Sequence, residues 1–216
     1  MPPFIEHFSR LAGPAMLRQM KLSEWIQQFE QHVVNVREGT IAFDSRVTLP
    51  IHMIGTVSYS SGAWVWAWAN EESSFSDSIV VESLKVKAYG EQHGISELTT
   101  PRYSLNDFNG HVLGLFAAGI CDNRVYIPAP NNDLEVYFFV ENTGIDFSTP
   151  TPPETVISVI SQVIAGFDVD HRIFVESFLA DEGFEIANDG NDIQCNRDGR
   201  SFRVTMDDRG KLTNIT

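Results

Sequence analysis

An α+β fold is what this chain predicts, on three observations: an apolar stretch at residues 47–70 with strand periodicity, helical apolar spacing on either side of it, and a series of marked turns near the C-terminus. The stretch, VTLPIHMIGTVSYSSGAWVWAWAN, carries no Asp, Glu, Lys or Arg. Trp64, Trp66 and Trp68 recur every second residue, and a period of two places all three indoles on one side of a strand. Its length would cross a bilayer as a helix, but Pro50, Gly55 and Ser60-Ser61-Gly62 interrupt it, and His52, Thr56, Ser58 and Tyr59 are scattered through it. Two strands, 47–58 and 63–69, joined near Ser60 to Gly62, are expected instead.

The flanking elements follow in order. A helix over residues 4–11 is expected to break at Gly13-Pro14, and Ser23 is placed to cap a second over 24–34, with Trp25, Ile26, Phe29 and Val33 on one face. A strand is expected at 40–43. Beyond the tryptophans, Ser74 with Asp77 resembles a capping box that opens a helix to about Tyr89, before Gly90 and Gly94. A further helix over 107–120, begun at Asn106, is rich in small residues (Gly114, Ala117, Ala118, Gly119) and is expected to be buried. Residues 124–127 and 134–140 then read as a hairpin across 128–133, giving an antiparallel sheet of about five strands packed with helices.

Closely spaced prolines at 150, 152 and 153 mark the domain boundary, dividing an α+β domain over 1–148 from a small module over 149–216. In the second part, helices over 153–165 and 170–182 precede strands at 184–187, 193–196, 201–206 and 211–215. Asp189-Gly190, Asp198-Gly199 and the 207–210 loop supply the hairpin turns. The expected architecture is helix, helix, antiparallel meander.

With 216 residues and 43% hydrophobic content the chain buries a core. A net charge of -14, shared by both parts (9 Lys/Arg against 17 Asp/Glu over 1–150, 6 against 12 over 151–216), argues against nucleic acid and anionic membranes, both of which need clustered cations. The N-terminus, MPPFIEHFSR, lacks the basic-then-apolar layout of a secretory signal, so a cytoplasmic protein is expected. Cys121 and Cys195 are far apart in sequence and suggest neither a disulfide framework nor a zinc site. Asp189, Asp192, Asp198, Asp207 and Asp208 crowd the meander turns without the closing Glu of a calcium loop, and interleaved arginines point to cross-strand pairing. No metal and no cofactor is expected.

The segment from Gly55 to Asn70, ending W-x-W-A-W-A-N, is similar to the signature of a bacterial family of uncharacterised proteins. That resemblance implies a related domain over residues 20–142 and no activity. Separately, residues 174–215, a helix ending in E-G-F followed by strands broken at D-G, resemble the helix-and-meander domains of secretion-chaperone-like proteins that bind protein partners.

Chemistry is sparse. The six histidines form no H-E-x-x-H, and there is no G-x-S-x-G, Walker or G-x-G-x-x-G motif, so no catalytic residue is assigned. Candidate ligand-binding residues are Trp64, Trp66 and Trp68, which pack in the core or line a cleft, and His52, which could meet Glu71 or Glu72 as a base with its orienting carboxylate. The leading expectation is a non-catalytic acidic protein-binding module, a regulator, chaperone-like factor or inhibitor of a basic partner. The alternatives are small-molecule binding in an aromatic-lined pocket and an unrecognised hydrolase. A homo-oligomer is a further way to cover an apolar patch.

Overall fold

Alternating apolar residues on the strands and three- to four-residue apolar spacing on the helices assemble into an α+β fold with antiparallel sheets. The computed structural model describes residues 1–70, 76–105, 109–122 and 124–216. They form two compact units, Arg18–Phe147 and Met1–Leu17 with Ser148–Thr216. Among the described residues no helix is long and apolar enough to cross a membrane.

The first helix, α1 (Pro3–Ile26), contributes its residues up to Leu17 to one unit and the rest to the other, and it is continuous where the sequence predicts a break. Gly13-Pro14 does not break it. Pro14 forfeits one backbone hydrogen bond, while the missing side chain of Gly13 lets Phe178 lie against the helix: an ideal Cβ there would fall 2.4 Å from Phe178 Cγ. The helix expected over 24–34 ends at Ile26. Val33 and Val34 enter strand β1 (His32–Asn35), as β-branched residues prefer, and Trp25 and Phe29 turn onto Phe43, each with ring centroids 5.1 Å from it.

In the unit Arg18–Phe147, the sheet is laid down as β2 (Thr40–Phe43), β3 (Val47–Ser58), β4 (Ala63–Trp66), β5 (Arg102–Ser104), β6 (Val125–Asn131) and β7 (Leu134–Val140). Strands β1 to β5 are neighbours in sequence order, and the hairpin β6–β7 joins through β7 on β3. Strand β3 is long enough to pair β2 with its first half and β4 with its last residues. A bulge between Met53 and Gly55 shifts its register against β7. Ile41, Phe43, Leu49, Ile51, Met53, Phe138 and Val140 form the core of this sheet.

Helix α2 (Asp77–His93), the short α3 (Ser96–Thr99) and α4 (Gly110–Ile120) complete the unit. Ser74, Asn106 and Asp107, expected at helix starts, lie outside the described residues. Asn109 caps α4 by accepting from the Val112 N–H, and Arg18 donates to the carbonyls of Ala118 (2.7 Å) and Arg124 (3.2 Å) at its far end. Buried Ser83 of α2 donates to the Ile54 carbonyl at the bulge and accepts from the Trp68 N–H, both at 3.2 Å, so the irregular strand leaves neither group unpaired.

The second unit follows the expected helix, helix, meander. Helix α5 (Pro153–Gly166) buries Val156, Val159, Ile160 and Val163, and α6 (His171–Asp181) buries Phe174, Val175, Phe178 and Leu179. Strands β8 (Glu185–Asp189), β9 (Asp192–Arg197), β10 (Arg200–Met206) and β11 (Leu212–Ile215) pair in sequence order. Residues 1–17 group with this module: Phe8 meets Phe167 at 5.7 Å between ring centroids, and Ser9 Oγ accepts from the Asp170 N–H at 2.9 Å. The acidic turns use their carboxylates locally. Asp207 accepts from the backbone of Arg209 and Lys211, and Arg203 reaches Asp192 at 3.4 Å across the β9–β10 pair.

Candidate functional site

The tryptophans separate. Trp64 and Trp66 lie on β4, fully buried with ring centroids 5.1 Å apart, and Trp64 also packs edge-on against Tyr137 at 5.1 Å. Trp66 Nε1 donates to the Glu97 carbonyl at 3.0 Å. Residues 67–69 form a single 3-10 turn rather than strand, which carries Trp68 off the shared face. Its partly exposed ring meets Lys87, with Nζ 4.6 Å from the ring centroid. The three-indole surface expected from the spacing is therefore a buried pair plus one indole under a lysine.

His52 sits at the centre of a polar cluster that ties α2 to the sheet. Its Nδ1 lies 2.9 Å from the Ser78 carbonyl and its Nε2 lies 3.0 Å from Glu141 Oε1. Arg124 Nη2 spans two carboxylates, at 2.5 Å from Glu141 Oε1 and 2.8 Å from Glu82 Oε1, and Lys85 reaches the same Glu82 oxygen at 2.9 Å. Glu71 and Glu72, expected to orient His52, lie outside the described residues. Glu141 is placed for that role by register: His52 pairs with Phe139, so Glu141 is its diagonal neighbour across β3 and β7.

Burial pushes the Glu82 carboxyl up, but hydrogen bonds from Lys85 and Arg124 together outweigh it and hold it below the ordinary range. Cys121, whose Sγ is 3.8 Å from the Glu82 carbonyl, is pushed up to about 12 by burial and by the Glu82 charge, which leaves it a poor nucleophile. His52, Glu82 and Glu141 offer three donor atoms within 4.8 Å of one another, a metal-ligand set by type. The space between the carboxylates, however, is taken by the Arg124 guanidinium, and with Lys85 it balances both negative charges. His52 Nε2 faces Glu141 Oε1 at 3.0 Å without hydrogen-bond alignment. The cluster fits a structural clamp.

A different feature faces solvent. Among the described residues, strand β1 pairs only with β2, and β6 only with β7. A groove of about 520 Å³ is lined from β1 by His32, Val33 and Val34 and from the other hairpin by Ala129, Val136 and Phe138. Val33 is 67% exposed on this strand. No tryptophan lines the groove. Sequence reasoning missed it because His32, Val33 and Val34 read as the end of a helix over 24–34. The signal was the adjacent β-branched pair Val33-Val34, followed by turn residues before the next strand.

Comparison with curated proteins and with solved structures finds no match. A family of unknown function, DUF6882, matches residues 6–143, which is more than half of the chain and includes both the His52 cluster and the groove. The chain therefore belongs to the family of unknown function DUF6882.

Proposed function

We propose that the protein is a non-catalytic, acidic protein-binding module, a regulator, chaperone-like factor or inhibitor that engages a basic partner. The observation that carries this reading is the apolar groove lying beside a strand, HVVN, that has no Lys, Arg, Asp or Glu, on a chain of net charge -14. Apolar surface left open beside polar residues is characteristic of interfaces, and an acidic surround speeds encounter with a cationic partner in a salt-dependent way. The His52 cluster adds support, since its carboxylates already face Arg124 and Lys85 and its thiol is raised out of the reactive range.

The test is affinity capture with the full chain and with Val33→Glu, followed by titration of each captured protein after purification. The expected partner binds the wild type, weakens roughly tenfold or more from about 50 to about 500 mM salt, and loses binding to the variant. Capture no different from that of bare resin, or partners indifferent to both salt and Val33→Glu, contradicts the reading.

A further inference from the structure

The mode of that binding follows from how the two strands beside the groove treat their free edges. In β6 the backbone N–H and C=O of Tyr126 both bond the side chain of Gln19, at 3.2 and 2.7 Å, so Tyr126 presents its backbone away from β7. By the alternation of a strand, Pro128 and Pro130 face the same way, and neither has an N–H to offer. That edge is closed by glutamine and proline, the common guards against unwanted strand pairing.

Strand β1 has no such guard. The Gln31 carbonyl accepts from the Asp44 N–H at 3.0 Å, so odd-numbered residues face β2, and the backbone groups of His32 and Val34 point to the free edge. The strand carries no proline, lysine or acidic residue. The other single-partner strand in this unit, β5, is three residues long, begins with Arg102 and follows Pro101.

We infer that β1 is a strand-addition site. An extended segment of a partner pairs with the His32 and Val34 backbone groups, lays alternate apolar side chains into the groove between Val33, Val34, Val136 and Phe138, and carries lysine or arginine at its ends. The cationic ends follow from the rim. Within two residues of the groove lining stand Glu30, Glu38 and Asp133 against Arg37, while Glu135 turns away to accept from the Tyr137 hydroxyl. A second copy of this chain would bring the same acidic residues face to face, which disfavours self-pairing. This inference rests on the protein-binding reading and specifies its site and ligand class.

Three synthetic peptides test it by fluorescence anisotropy: alternating valine and threonine flanked by lysine pairs, the same core flanked by glutamate pairs, and the lysine peptide N-methylated at alternate residues along one edge. The lysine peptide is expected to bind saturably, the glutamate peptide at least about tenfold more weakly, and methylation of the pairing edge is expected to weaken binding about tenfold or more. Val34→Pro, which removes an outward N–H in the manner of β6, is expected to lose the lysine peptide while still unfolding cooperatively, at a midpoint lowered by the Val34 packing it gives up. Should that variant fail to fold, the methylated peptide alone decides. Equal binding of all three peptides, or no binding of any, overturns strand addition. If a captured partner nevertheless depends on Val33, the protein-binding reading stands and only its mode is wrong. A concentration-dependent dimer abolished by Val34→Pro overturns the assigned occupant in favour of a second copy.

Discussion

Replacing Arg124 by methionine is expected to destabilise the fold by about 3 kcal/mol, read as a lowered urea midpoint with unchanged slope. The reason is Glu82, whose side chain is only 3% exposed and whose Oε1 accepts from Arg124 at 2.8 Å. Without the guanidinium a buried carboxylate keeps a single cation, Lys85, whose own side chain is mostly solvated. The pH dependence has a definite sign. In the wild type the Glu82 carboxyl is held below its ordinary value, so its contribution is present above the unfolded value and is lost as pH falls through the folded one. In Arg124→Met burial is less opposed and the carboxyl moves up, so acidification relieves the variant and the gap to wild type narrows. The double variant Glu82→Gln/Arg124→Met is expected to recover most of the loss, because no buried charge is left behind. Equal destabilisation by Arg124→Met with and without Glu82→Gln would contradict this account of the clamp.

Gly55→Ala is expected to cost about 3 kcal/mol, the upper part of the range for overpacking a core. A Cβ at Gly55 would lie 2.4 Å from Trp64 Cζ2 and 2.7 Å from the Val65 carbonyl. The indole is fully buried and already packs against both Trp66 and Tyr137, with ring centroids 5.1 Å from each, so it has little room to retreat. Trp64→Ala alone is expected to cost about 4 kcal/mol by leaving a cavity. The two changes touch the same space, so the double variant is expected to lose less than their sum, a coupling that equilibrium unfolding of all four proteins measures directly. Strict additivity would mean that the indole does not rest on Gly55.

Much of this fold was legible because local patterns and tertiary demands agree. The period-two tryptophans identified β4, the C-terminal turns marked the meander, and the small residues of 114–119 marked a buried helix. Where they conflicted, packing won. Gly13-Pro14 has the look of a break, yet Phe178 fills the space that Gly13 leaves and α1 continues. Strand periodicity carried past Trp66 implied one face for three indoles, but the backbone turns at 67–69 and Ser83 takes the Trp68 N–H. His52 was recognisable as a singular histidine on an apolar strand. Its partner Glu141 was not, because the pairing that brings them together depends on a register set by a bulge. The open edge was hidden for a related reason: four residues of HVVN carry no helix or strand period of their own, and only the neighbouring strands define them as an edge.

The claim that the free edge of β1 receives the partner is tested most directly by amide hydrogen exchange on the complex. The N–H groups of His32 and Val34, which face away from β2, should exchange fast in the free protein and slow sharply when a partner or the lysine-flanked peptide is bound, while β6 and the meander are unaffected. Unchanged exchange at these two residues in a saturated complex would contradict it.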